Sequence, residues 1–237
     1  MLGSVPRMPP VDLPPPPERP ELPPGVQIAG EEELFWPAGD VTIQSLARLP
    51  AEAERVVVLC HPHPLYGGTM HNAVVVVLAK ALAESNGGRV GWIRFNYRGF
   101  VKSGGKYDGG RAEELDAAGA LAEARRRCPR AKVCFAAYSF GAGVAYRAAA
   151  RDGNVDRIAL IAPSLRMTKL DAARYSGPVL IVAAGRDQFS PPEETSELAE
   201  RLHATLSFIP EADHYFIRFR REVVRLVIPF VVPELPS

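Results

Sequence analysis

The chain has 237 residues, 23% of them charged and 47% hydrophobic, with a formal net charge of +1. That length suits one large domain or two small ones, with core enough to bury about 70% of the surface the unfolded chain exposes. A charge near zero speaks against a dedicated nucleic-acid binder, and three cysteines (Cys60, Cys128 and Cys134) form no disulfide framework.

The first 25 residues hold ten of the 23 prolines. Proline fixes φ and has no backbone donor, so this leader can neither pair in a sheet nor continue a helix. It is expected to be extended and poorly packed, a disordered leader to a domain spanning 26–237. Docking to an aromatic-lined groove is one role for it. An inert tail is the simpler one, since nothing in the chain names a partner. No apolar h-region opens the chain and no apolar run reaches about 18 residues, so neither a signal peptide nor a membrane span is expected. A cytoplasmic setting follows as the expectation.

Residues 33–37 and 41–49 predict two strands of a meander. Residues 55–60 (RVVVLC) form a short apolar run, as in a parallel strand buried on both faces. Residues 70–84 contain a strand-like Val run, but their length and their Ala, Leu and Lys content favour a helix. A strand at 90–96 follows, then a helix at 111–127 with Leu115, Ala118 and Ala122 as its apolar positions. Residues 132–138 read as a strand, 141–151 as a helix, and 157–162 and 179–184 as strands. A helix at 193–203, a strand at 205–209 and a closing helix at 215–231 complete the pattern. In that last helix Phe216, Val223, Val227 and Phe230 are expected to face in. Arg218, Arg220, Arg221 and Arg225 are expected in solvent, with a phosphate or CoA patch as the sharper alternative. Alternating strand and helix predicts an α/β fold: a mostly parallel, doubly wound sheet with an antiparallel N-terminal edge.

Ligands of such sheets bind at the carboxyl ends of the strands, which directs attention to the residues after each strand. Strand 132–138 runs into Ala137-Tyr138-Ser139-Phe140-Gly141 and then directly into a helix. This is close to the G-x-S-x-G nucleophile elbow, with Ala137 in place of the first glycine. Strand 179–184 is followed by Asp187, and strand 205–209 by Asp213 and His214. The order Ser139, Asp187, His214 is that of a hydrolase triad, in which histidine takes the proton of a weak serine nucleophile and a carboxylate holds the imidazole tautomer. Asp213 is the rival acid, but its adjacency to His214 should turn its side chain away from the ring. Ser139 could instead serve only as a helix N-cap. An oxyanion hole would draw on the N–H of Phe140 and on the loop His61-Pro62-His63-Pro64-Leu65-Tyr66-Gly67-Gly68. Pro62 and Pro64 lack an N–H, which leaves His63 and Leu65, with His63 preferred. His61, His63 and His71 make a weak metal pattern, because no cysteine or carboxylate sits near them at ligand spacing. Their expected role is local hydrogen bonding, with no metal. His203 is expected to face solvent from its helix.

The stretches HPHPLYGGTMHNAVV, FNYRGFVKSGG, AYSFGAG, GRDQFSP and ADHYF together resemble small, lidless α/β-hydrolases related to the dienelactone hydrolases, over about residues 40–235. The resemblance implies Ser139 as nucleophile, His214 as base, Asp187 as acid, and the 61–68 loop with Phe140 as oxyanion hole. Dienelactone hydrolases proper use a cysteine nucleophile, whereas this chain has serine, which detaches the dienelactone substrate from the inference.

The expected activity is therefore that of a short-chain carboxylesterase working through a Ser-His-Asp acyl-enzyme, without a cofactor. Only about sixteen residues separate strands 157–162 and 179–184, room for a loop but not for a cap domain. Leu65, Tyr66 and Met167 are the expected substrate contacts, with Arg166 and Lys169 at the rim. The expected partner is a small-molecule ester or thioester, with no nucleic acid and no membrane; a homodimer is compatible. An acyl-CoA thioesterase, a peptidase, and a non-catalytic binding protein using its proline tail are the alternatives.

Overall fold

The computed structural model describes residues 15–17, 22, 25–85, 88–164 and 174–233. Eight strands form one sheet in the order β1-β2-β4-β3-β5-β6-β7-β8. The strands are β1 (Glu32–Ala38), β2 (Val41–Arg48), β3 (Arg55–Cys60), β4 (Val90–Phe95), β5 (Lys132–Tyr138), β6 (Ile158–Ile161), β7 (Val179–Ala184) and β8 (Thr205–Ile209). β1 pairs antiparallel with β2, and β2 antiparallel with β4. Every other pairing is parallel. The predicted fold class is the one observed, antiparallel edge included. The proline-rich leader falls largely outside the described residues.

The helices are α1 (Ala73–Glu84), α2 (Glu113–Arg127), α3 (Phe140–Asp152), α4 (Pro192–Leu202) and α5 (Arg220–Val231). The central strands are buried except for Lys132 at the start of β5, and alternate residues feed opposite layers because side chains alternate across a sheet. Val56, Val58 and Cys60 of β3 join Phe135, Leu121 and Ala145 on one face. Val57 and Leu59 join Val74, Leu78, Val223 and Val227 on the other. Such burial stabilises by about 25 cal/mol per Å² of apolar surface.

Most boundaries shift by one or two residues; the larger differences from the sequence reading are the starts of α1 and α5 and the buried face of α2. α1 begins at Ala73, not at 70, because the Asn72 side chain accepts the Val74 N–H at 3.0 Å and caps the helix there. Its Val run stays helical because Val74, Val75, Leu78 and Leu82 are all buried, and tertiary packing outweighs propensity. α5 begins at Arg220; residues 215–219 form turns. Its inward set is Val223, Val227 and Val231, together with Phe216 just upstream, while Phe230 is only half-buried.

The correction to α2 is larger. Leu115, Ala118 and Ala122 are not in the buried set, which is Ala117, Ala120, Leu121 and Ala124, with Glu113, Glu114 and Asp116 beside them. The carboxylates go inside because each has a partner there. Glu113 accepts the Asp108 and Gly110 N–H groups, and Asp116 receives the Arg98 guanidinium and backbone N–H. Glu114 pairs with Arg147 and Arg151. Paired charges can be buried where lone ones cannot, so apolarity alone misjudged the face.

Arg94, near the carboxyl end of β4, and Glu31 form an ion pair whose side chains are both 0% exposed. Arg94 Nε and Nη2 donate to the two Glu31 oxygens at 2.7 and 2.6 Å, and Trp92 Nε1 donates to Oε1 at 2.8 Å. The remaining Arg94 donors reach the carbonyls of Met70 and Val26. Burial alone would raise the Glu31 carboxyl, but Arg94, the Ile28 N–H and Trp92 together hold it below the usual carboxylate range. This pair pins residues 26–31 to the sheet directly behind the loop that follows β3.

Candidate active site

The chain order of the strands reverses at β3 and β5: β4 lies to one side of β3 and β5 to the other. The loop after β3 and the turn after β5 therefore open a crevice at the carboxyl edge. Ser139 occupies that turn. Its φ of +55° and ψ of −116° belong to a region that non-glycine residues rarely adopt. Such strain costs about 1–3 kcal/mol and persists only where the surroundings impose it. Here the Ser139 N–H is tied to the Ile161 carbonyl at 2.8 Å. Gly141 makes the sharp turn possible, since a methyl group there would come within 2.6 Å of the His61 carbonyl. Ala137 serves as the small residue before the turn and lies fully buried in the core.

Ser139 stands at the N-cap of α3, but its side chain makes no cap hydrogen bond. The hydroxyl donates to His214 Nε2 at 2.9 Å. His214 Nδ1 in turn donates to Asp187, at 2.8 Å to Oδ2 and 3.0 Å to Oδ1. All three residues are buried; Ser139, His214 and Asp187 leave 4%, 6% and 4% of their surface exposed. Asp187 Oδ1 also accepts the N–H groups of Phe189 and Ser190, which fixes the carboxylate in place. Asp213 is exposed and accepts the N–H of Tyr215 instead, as a local turn.

The sheet explains why Asp187 and His214 meet. β7 and β8 pair in parallel register up to Ala184 and Ile209. Beyond them the Gly185 and Arg186 N–H groups continue onto the Ile209 and Ala212 carbonyls, at 3.0 and 2.9 Å. A methyl group on Gly185 would collide with the Pro210 carbonyl, so glycine lets the two loops close on each other. Arg186 and Glu211 pair across them. Sequence reading passed over two supports. Tyr138 donates its hydroxyl to the His214 carbonyl at 2.9 Å, and the Phe189 ring packs on the imidazole at 4.9 Å. Tyr138 sits between the small residue and the serine of the elbow motif, and that position was the available signal.

The loop after β3 is set by two neutral histidines. His61 Nδ1 donates to the Pro62 carbonyl at 2.6 Å, and Nε2 accepts the Tyr97 N–H at 3.3 Å. Full burial pushes its pKa down to about 3. His63 Nδ1 accepts the Leu65 N–H, so its Nε2 donates to the Tyr107 hydroxyl at 2.8 Å; burial pushes its pKa down to about 4. The His63 and Phe140 rings touch at 4.7 Å. Among the described residues, neither the His63 nor the Phe140 backbone N–H has a protein acceptor. The Leu65 N–H is spent on the His63 ring, which removes it from competition as an oxyanion donor. His71 accepts the Val26 N–H at 3.0 Å. Among the described residues, no group of His, Cys, Asp or Glu is placed to hold a metal.

A cleft of about 150 Å³ opens onto Ser139, lined by Pro62, His63, Tyr66, Tyr138, Phe189 and Tyr215 among others. Tyr66 is at the cleft as expected. Leu65 is not among its lining residues; its neighbour Tyr66 in the turn Pro64–Tyr66 takes that place. Met167, Arg166 and Lys169 lie outside the described residues. His203 is not buried, and it caps α4 at its C-terminus. Burial raises the Cys60 thiol to about 12 and the Cys134 thiol to about 11, so neither is a ready thiolate.

The model of the dienelactone hydrolase family matches residues 106–227, just over half of the chain and the part that carries Ser139, Asp187 and His214. The chain belongs to the dienelactone hydrolase family. It is a hydrolase of that family. An uncharacterized protein of Rickettsia prowazekii, RP471, is 31% identical over 179 residues, 70% of this chain and 74% of that one. A lidless α/β serine hydrolase from Xanthomonas campestris superposes with a TM-score of 0.77 at 26% identity, covering 90% of this chain and all of that one. A serine hydrolase homologue from Coxiella burnetii gives 0.75 at 27% identity, over 86% and 99% of the two chains. No helix among the described residues is long and apolar enough to cross a membrane.

Proposed function

We propose that the protein is a serine carboxylesterase acting on small esters through an acyl-enzyme. The observation that carries this is the hydrogen-bonded line from the strained Ser139 hydroxyl through His214 to Asp187. With Asp187 holding a proton on Nδ1, His214 Nε2 is the acceptor the serine needs. Ser139 Oγ adds to the ester carbonyl while His214 takes its proton. The resulting oxyanion receives the N–H groups of Phe140 and His63, the first of them at the positive end of α3. Collapse of the tetrahedral adduct breaks the alcohol C–O bond as His214 hands its proton to the leaving oxygen. Water, deprotonated by the same histidine, then attacks the acyl-Ser139 ester and frees the acid. Each oxyanion donor is worth about 3–4 kcal/mol of barrier.

The modest cleft supports small substrates over long acyl chains. Among its described lining residues there is no Arg, Lys, Asp or Glu, which favours neutral esters over acyl-CoA. The test is labelling with a fluorophosphonate, followed by a panel of p-nitrophenyl esters. Ser139 should carry the label, and acetate and butyrate should be cleaved faster than decanoate. Unlabelled folded protein would refute the serine mechanism; faster decanoate cleavage would refute the small-substrate assignment.

A further inference from the structure

The rings around the cleft are distributed unequally about the reacting atoms. On the His63 side, where the proposed oxyanion donor lies, the cleft wall carries Tyr66, edge-on to the His63 ring at 5.0 Å. On the His214 side three rings converge. Phe189 stands edge-on to the imidazole at 4.9 Å, Tyr215 at 5.6 Å, and Tyr138 lies at 5.7 Å. Phe189 and Tyr215 meet each other at 6.2 Å and 82°. Phe189 is tethered through its N–H to Asp187, so its ring is held relative to the triad. Tyr215 leaves 52% of its surface in water directly beside the site, an apolar ring waiting for a cover.

Chemistry assigns a substrate part to that side. His214 must deliver its proton to the leaving oxygen, so the alcohol portion of an ester sits next to the imidazole and against Phe189 and Tyr215. Aromatic rings favour edge-to-face or offset partners at 4.5–7 Å. The whole cleft, open to solvent and about 150 Å³, has room for a group of the size of one benzene ring. We infer that the His214 side of the cleft is a binding site for an aromatic alcohol group, and that the preferred substrates are neutral esters of short acids with benzyl-type alcohols. This inference rests on the serine-esterase reading above and adds the class of leaving group to it.

The experiment compares benzyl acetate with cyclohexylmethyl acetate, which share acyl group and size and differ in the flat, π-faced ring. Wild-type kcat/KM should favour the benzyl ester by about tenfold, with the difference mainly in KM. Benzyl alcohol should likewise inhibit more strongly than cyclohexylmethanol. Tyr215→Leu, on an exposed position, and Phe189→Leu should each shrink the ratio toward unity. Equal turnover of the two acetates by protein that labels at Ser139 overturns the aromatic site and leaves the serine mechanism standing. An aromatic preference that appears only between ethyl benzoate and ethyl cyclohexanecarboxylate also overturns it, because the ring would then sit on the acyl side. Absence of both labelling and turnover defeats the serine mechanism itself, and the aromatic site with it.

Discussion

Replacing Ser139 with alanine should lower kcat/KM toward p-nitrophenyl acetate by on the order of 10⁴–10⁶-fold, with the fold unchanged. The loss is large because the hydroxyl is the atom that would bond to substrate, and neither His214 nor Asp187 can take its place. Residual hydrolysis above the rate in water would come from the N–H groups of Phe140 and His63, which the substitution leaves in position. Thermal stability should hold or rise slightly, since a methyl group makes no demand on His214 and the elbow strain belongs to the backbone. The measurement is steady-state kinetics beside a melting curve. Wild-type turnover by the Ser139→Ala protein would refute the nucleophile. A collapse in melting temperature would show that the hydroxyl mattered to the fold rather than to the reaction.

Removing the Glu31 carboxylate should have the largest effect on stability. Glu31→Ala leaves Arg94 fully buried without a counter-charge, a change that costs about 3–5 kcal/mol. For a chain of this size, with each kcal/mol worth roughly 2–4 °C, the melting temperature should fall by about 10 °C. The reciprocal change is no gentler, because Arg94 also satisfies the Met70 and Val26 carbonyls. Swapping both residues for apolar ones would strand those carbonyls and restore only part of the loss. Differential scanning calorimetry decides: a fall of less than about 2 °C, under the roughly 2–4 °C of a single kcal/mol, would mean that the pair contributes nothing net. Since Met70 follows directly on the loop after β3, the variant should also lose activity before it unfolds.

The fold was legible because strand and helix alternate in plain hydropathy, and the candidate site because Ser139, Asp187 and His214 each follow a strand on one edge. Those signals are local. What stayed hidden depends on partners distant in sequence. The buried face of α2 is set by Arg98 and Arg147 receiving Asp116 and Glu114, and no hydrophobic count on the helix alone foresees that. Glu31 reads as one more surface glutamate until Arg94, 63 positions on, comes to lie against it. Leu65 looked like a cleft residue because it sits in the right loop, but the tight turn at Pro64–Tyr66 sends its neighbour Tyr66 to the cleft instead. Phe189 and Tyr215 were visible in the motifs GRDQFSP and ADHYF only as the residues beside an acid and a base. Their edge-on packing about the imidazole exists only once β7 and β8 are aligned.

Buried His61 and half-buried His63 tie the acid response of folding to the loop after β3. His61 and His63 stay neutral in the folded protein down to about pH 3 and 4, whereas in the unfolded chain each titrates near 6.5. Because their folded pKa values are depressed, the stability they contribute is whole above about pH 6.5 and drains away as pH falls toward those values. Between roughly pH 6 and 4.5 the unfolded chain holds more protons at these positions than the folded one, so stability falls with pH across that interval. Over that same interval the loop they support keeps one protonation state and one shape. A decline of activity on mild acidification, in protein that is still folded, therefore does not come from protonation of His61 or His63.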